Sequence, residues 1–99
     1  MRFIFKSKKI ALLYSEEKGS HKYPPEVVDA FFEKMTIISA APDMRDLYAL
    51  KSLHFEKLLG TRKNDRSIRL NQQWRLTLRL KQDENGEFIL ILDIEDYHK

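Results

Sequence analysis

Apolar and polar residues recur along this chain with two different periods, and the change of period divides it into halves. Arg2 to Phe5 reads as a short strand. From there the spacing is helical. Ser7 is placed to cap a helix whose apolar residues are Ile10, Leu13 and Tyr14, and Gly19 ends it. Pro24-Pro25 suits the first turn of a second helix, where amides need no partner inside the helix. Val28, Phe31, Phe32, Met35 and Ile38 then make one apolar stripe. Pro42 closes that helix, and Asp43 caps a shorter one carrying Met44, Leu47 and Tyr48.

The second half has a period of two. Leu76, Leu78 and Leu80 take one face of a strand, and Arg75, Thr77 and Arg79 the other. Ile68 and Leu70 alternate with Arg69 in the same way. Asn71 to Gln73 marks a turn or bulge between two strands, and Lys81 to Glu87 contains Asn-Gly, a hairpin signal. Phe88 to Ile94 is nearly all apolar, which suits a central strand covered on both faces. The predicted order is strand, two or three helices, then an antiparallel sheet of three or four strands. That is the α+β class, with N-terminal helices packed on a small antiparallel sheet. Its 99 residues suffice for one domain, taken as residues 1–99. If the leucines face the helices, the arginines line an open sheet surface. Guanidinium is planar, always charged and matched to phosphate, so this surface can seat RNA.

Composition narrows the function classes. The chain is 42% hydrophobic with six Phe, four Tyr and one Trp, so it can build a core and does not read as disordered. No apolar run approaches the ~20 residues that span a bilayer. Met1 to Lys6 offers no apolar stretch of signal-peptide length, and a cytosolic location is expected. The absence of Cys excludes disulfides and thiolate chemistry. Net charge is +3, but Lys51 to Leu80 carries a net +6 and the remainder a net −3. Such a local excess points to a polyanion or an acidic partner, although a charge run alone equally describes a solvated face.

Candidate chemistry is sparse. His21, His54 and His98 do not pair at metal-ligand spacing, and the three glycines form no phosphate-binding loop. No metal and no cofactor is expected. Asp96 and His98 alternate, so a continued strand would put both on one face, where a carboxylate favours the charged imidazole. The same residues also suit a frayed polar tail. His54 neighbours core residues in Leu53-His54-Phe55, which suits a structural histidine. Trp74 suits packing, with base stacking as the alternative.

Three ordered motifs change this picture. They are Leu53-His54-Phe55-Glu56-Lys57-Leu58-Leu59-Gly60-Thr61-Arg62, then Ser67-Ile68-Arg69-Leu70-Asn71-Gln72-Gln73-Trp74-Arg75-Leu76, then Glu95-Asp96-Tyr97-His98. They resemble HigB-type toxins of the RelE/ParE superfamily, from bacterial type II toxin–antitoxin systems. The match runs from about Leu53 to His98, and helix order agrees before it. The resemblance implies a RelE/ParE-like fold and a ribosome-dependent messenger RNA endonuclease, cutting in the ribosomal A site without a metal. The 2′-hydroxyl attacks the adjacent phosphorus and leaves a 2′,3′-cyclic phosphate.

Such chemistry needs a proton acceptor, a proton donor and positive charge for the phosphorane. By position, the resemblance makes Asp96 and His98 the terminal catalytic pair and gives His54 a place in the active site. Arg62 and Arg75 would contact phosphate, with Lys57, Arg66, Arg79 and Trp74 as further RNA-binding candidates. One departure is that the family commonly carries Lys just before the motif glycine, where this chain has Leu59. Lys57 is the candidate substitute. The implied partners are a HigA-type antitoxin with a helix-turn-helix domain, the 70S ribosome and messenger RNA. Operator DNA would be reached through the antitoxin. The alternatives are a ParE-like inhibitor of DNA gyrase and a degenerate toxin that only binds antitoxin.

Overall fold

The structure, a computed structural model, describes residues 1–97. Its elements run β1 (Phe3–Phe5), α1 (Lys8–Glu16), α2 (Pro25–Ala40), α3 (Met44–Ala49), β2 (Glu56–Lys57), β3 (Asp65–Arg69), β4 (Trp74–Asp83) and β5 (Gly86–Asp96). Local chemistry explains most of the boundaries. Pro25 opens α2, and the helix stops at Ala40, two residues before Pro42. At α3, Asp43 accepts from the Arg45 amide while Asp46 accepts from the Asp43 amide, a reciprocal cap. Ser7 precedes α1, but its hydroxyl makes no capping bond. That helix ends earlier than the glycine suggests, at Glu16, because Glu17 itself turns left-handed with φ of 55°.

Five strands form one sheet in the order β1-β5-β4-β3-β2. The four strands of the second half are antiparallel, as the alternation predicts. The first strand joins them in parallel beside β5, pairing Phe3 with Ile89 and Phe5 with Ile91. The sheet is therefore mixed: the chain leaves β1, crosses one face as helices, and later places β5 parallel beside it. The connections within the sheet are short turns. Asn71 accepts from the Gln73 and Trp74 amides and closes the β3–β4 turn. In the β4–β5 hairpin Glu84 and Asn85 are the two turn residues, and Gly86 follows with φ of 106°.

One sheet face is buried. Ile68, Leu76, Leu78, Ile89, Ile91 and Ile94 meet Ile10, Leu13, Phe31, Met35, Ile38 and Leu47 in a single core. Phe3, Phe5, Tyr14, Phe31 and Phe32 extend it as an aromatic cluster, mostly in edge-to-face contacts. The expectation that β5 is covered on both faces is met on one only: Phe88, Leu90 and Leu92 remain half-exposed on the other.

A bulge in β5 decides what the open face carries. Leu78 pairs with Ile91 but Thr77 pairs with Asp93, so Leu92 is an extra residue. Strict alternation would put Asp93 and Glu95 on the core face with Ile91. The bulge instead returns Ile94 to the core and turns Glu95 to the open face, opposite Arg75.

Candidate active site

The open face collects chemistry from three strands. By ladder register, Asp65, Ser67 and Arg69 of β3 stand beside Arg79, Thr77 and Arg75 of β4, and Glu95 of β5 stands beside Arg75. These residues sort into a self-neutralised cluster and an adjoining cationic cleft.

The cluster joins Arg62, Asp65, Thr77, Arg79 and Glu95. Arg62 leaves the loop before β3 and grips Glu95 through both terminal nitrogens, each at 2.8 Å. Its Nε donates to Asp65 at 3.2 Å, and Arg79 Nε donates to the other Asp65 oxygen at 2.6 Å. The Thr77 hydroxyl donates to Glu95 at 2.5 Å. Asp65 is only 2% exposed, so two guanidinium partners compensate its lost hydration. Burial works to raise the Asp65 pKa, yet the bonds from Arg79 and Arg62 prevail and hold it below the usual range. The Arg62 hydrogen bonds likewise lower the Glu95 pKa.

This fixes the sign of an acid effect. Both carboxylates titrate lower in the folded chain than unfolded, so their contribution is complete above about pH 5 and lost as pH falls through their folded values. Denaturant unfolding at pH 7, 4.5 and 3 is expected to show a steep loss below pH 4.5. Glu95→Gln should flatten it, and an unchanged acid slope in that variant would count against the Arg62–Glu95 bond as its source.

The cleft lies toward the β2 edge. It encloses about 550 Å³ and is bordered by Lys57, Leu59, Ser67, Arg69, Arg75 and Tyr97, among others. Arg75 is its best-held cation. Its Nε donates to Ser67 Oγ at 2.6 Å and its Nη2 to the His54 carbonyl at 2.6 Å. Burial lowers the Arg75 pKa, although an arginine stays charged at any physiological pH. Among the described residues its ion-pair contact is with Glu56 at 3.9 Å, loose enough to leave the guanidinium able to take a further anion. Arg69 is exposed, with Nη1 3.4 Å from His54 Nε2. His54 sits in the left-handed region with φ of 47°, and this uncommon backbone aims its carbonyl at Arg75. Tyr97 closes the cleft at the end of β5. Burial, then the nearby Glu95 charge, raises its pKa, so it stays a neutral phenol.

The structure sorts the sequence candidates accordingly. Arg75 and Lys57 border the cleft, with His54 beside it. Arg62 and Arg79 lie on the same face but are occupied by carboxylates, so the face is less cationic than a count of arginines implies. Arg66 lies apart from the cleft. Its ladder partner is Leu78, it leaves β3 on the helix side, and its Nε donates to the Tyr48 hydroxyl at 2.8 Å. Trp74 is also on that side, edge-to-face with Tyr23 and packed against the core. Lys57 pairs with Arg66 in the ladder, on the side opposite Glu56 and Ser67, although it also borders the cleft. Asp96 pairs with Trp74 and accepts from Gln73 Nε2 at 3.1 Å, which separates it from the cleft. His98 lies outside the described residues. Arg69, Ser67 and Tyr97 were not selected from sequence. The alternation of Ser67 and Arg69 around Ile68 was the available signal.

A family model described as a RelE-like toxin of the type II toxin–antitoxin system HigB matches residues 3–98. The chain belongs to the HigB-like toxin family. Toxin HigB-1 of Vibrio cholerae serotype O1 is 36% identical over 76 residues, covering 77% of this chain and 80% of that protein. Among solved structures, a YoeB/ParE toxin from Agrobacterium tumefaciens aligns over 99% of this chain and 100% of its own, with a TM-score of 0.59 at 12% identity. YafQ from E. coli strain BL21(DE3) aligns over 97% and 93%, with a TM-score of 0.57 at 13% identity. These two likenesses establish the RelE-like fold. Family membership implies an antitoxin as partner. No helix among the described residues is long and apolar enough to cross a membrane.

Proposed function

We propose that this HigB-like toxin is a ribosome-dependent messenger RNA endonuclease that cuts in the ribosomal A site and thereby stops translation. The observation that carries the proposal is the cleft where Arg69 and Arg75 meet Tyr97, in a chain whose next residue is His98. In this reaction the 2′-oxygen bonds to phosphorus and the bond from phosphorus to the 5′-oxygen breaks. The 2′-hydroxyl proton goes to a base, and the leaving oxygen takes one from an acid. His98 supplies one of these transfers, since imidazole titrates near neutrality. Arg75, pre-aimed by Ser67 and the His54 carbonyl, stabilises the developing negative charge, with Arg69 beside it. The nucleophile belongs to the substrate, so no protein nucleophile and no metal is assigned a step.

The partners proposed are a HigA-type helix-turn-helix antitoxin, the 70S ribosome and messenger RNA in the bacterial cytoplasm. Operator DNA is contacted through the antitoxin. Primer extension on messenger RNA in a purified translation system tests the proposal. Cuts at A-site codons are expected with 70S ribosomes and not with naked RNA. Growth arrest without cuts would overturn it in favour of a non-nucleolytic target such as DNA gyrase. Neither arrest nor cuts would leave a degenerate toxin, an outcome to which Leu59, 89% exposed where the family carries lysine, draws attention.

A further inference from the structure

Arg62 resembles a family arginine and is placed on the RNA-facing side, yet it is already engaged. Both of its terminal nitrogens hold Glu95, and its Nε holds Asp65. Glu95 is in turn the ladder partner of Arg75 on the same face. Directly opposed residues of opposite charge on one sheet face attract each other. Even so, Arg75 reaches the other way, to Ser67 and the His54 carbonyl, while both Glu95 oxygens go to Arg62 and Thr77.

We infer that Arg62 is a positioning residue: by sequestering Glu95 it keeps the Arg75 guanidinium free for a phosphate in the cleft. Without Arg62, Glu95 would be a partly buried carboxylate lacking its main partner, and the cation directly opposite it in the ladder is Arg75. The new ion pair would withdraw Arg75 from Ser67 and put a negative charge where the substrate phosphate must come. Arg62 thus acts on RNA only through Glu95. This inference deepens the nuclease proposal and rests on it for its kinetic consequence, but not for its structural one.

A double-mutant cycle tests it, because a direct phosphate ligand and a sequestering residue behave oppositely. Arg62→Ala is expected to lower kcat/KM of ribosome-dependent cleavage roughly 10- to 100-fold, the scale of one lost charge-assisted contact. Adding Glu95→Gln removes the competing charge, and the double variant should return to within about threefold of wild type, a strong positive coupling. If the double variant stays as impaired as Arg62→Ala, Arg62 contacts RNA itself and the inference fails.

The second readout is the Arg75 Nε–H resonance in nitrogen-labelled protein. It should move in Arg62→Ala, as the bond to Ser67 is lost, and move back in the double variant. A resonance unmoved by Arg62→Ala overturns the inference regardless of activity. If wild-type protein shows no cleavage, the nuclease proposal falls and this resonance alone decides the role of Arg62. Thermal unfolding confirms that each variant is folded. Should Arg62→Ala not fold, Arg62→Lys keeps the charge without the two-pronged grip. It should show a smaller loss that Glu95→Gln again relieves, and an unrelieved loss would overturn the inference.

Discussion

Replacing His98 by glutamine is expected to slow ribosome-dependent cleavage by about 100- to 10,000-fold, the range for losing one positioned acid or base. Glutamine keeps a comparable reach and can still hydrogen-bond, but it cannot carry a proton between pH 5 and 8. The effect should therefore fall on kcat, with ribosome binding retained. The reason to place this large effect at the end of the chain is geometric. Tyr97 borders the cleft beside Arg75, after Asp96 has been turned aside to Gln73 and the Tyr97 amide has bonded to the Gln73 carbonyl at 2.7 Å. The β3–β4 turn thus delivers the chain to the cleft one residue before His98. Single-turnover primer extension measures the rate, and a thermal midpoint within a degree or two of wild type shows that the fold is kept. Full cleavage by the variant would remove His98 from the mechanism.

The second large effect is on stability. Asp65→Ala is expected to destabilise the chain by about 3 kcal/mol, the low end for breaking a buried ion pair by removing one partner. Asp65 is 2% exposed and receives Arg79 at 2.6 Å and Arg62 at 3.2 Å. Its removal leaves two guanidinium groups on one face without their shared counter-charge. Both arginines are more than a third exposed and can turn to water, which keeps the loss from being larger. For a domain of this size the midpoint should fall roughly 10–20 °C. A fall under about 4 °C, which is near 1 kcal/mol, would mean that the network contributes little to folding. Asp65 also contrasts with Arg75. One is a carboxylate held by two close guanidinium partners, and the other is a cation whose hydrogen bonds go to a hydroxyl and carbonyls and whose contact with Glu56 is loose, at 3.9 Å.

Local pattern made much of the fold legible. The spacing of Phe31, Met35 and Ile38 marks α2, and the leucines at 76 and 78 face the core as the period of two requires. Asp43 and Asn71 act through bonds to amides two or three residues away, so short-range chemistry suffices to place them. The parallel docking of β1 was not legible, because strand direction and neighbour choice depend on where intervening helices send the chain. The α+β class and the family could be seen early, the latter from motifs spread over the second half.

The site was legible in kind but not in membership. Alternation correctly assigns Arg75, Thr77 and Arg79 to one face, and it would equally have assigned Ser67 and Arg69. Alternation also sets Arg66 with Ile68 on the core side, where the structure has it, but it misplaces Glu95 unless the bulge at Leu92 is known. A bulge is one extra residue accommodated by the partner strand, so it has no signature in β5 alone.

What the amino-acid sequence determines by itself is therefore the set of elements, the apolar face of each and the chemical groups available for function. Those follow from periodicity, caps and side-chain type, all of which act within a few residues. What the tertiary structure decides is which charges cancel. Arg62 and Glu95 are 33 residues apart, yet they meet at 2.8 Å, while Arg75 is spared its own cross-strand carboxylate. Coulomb energy depends on distance in space and on burial, neither of which is a property of position along the chain. The same count of arginines can thus build a neutral clasp at one end of a sheet face and a cationic cleft at the other.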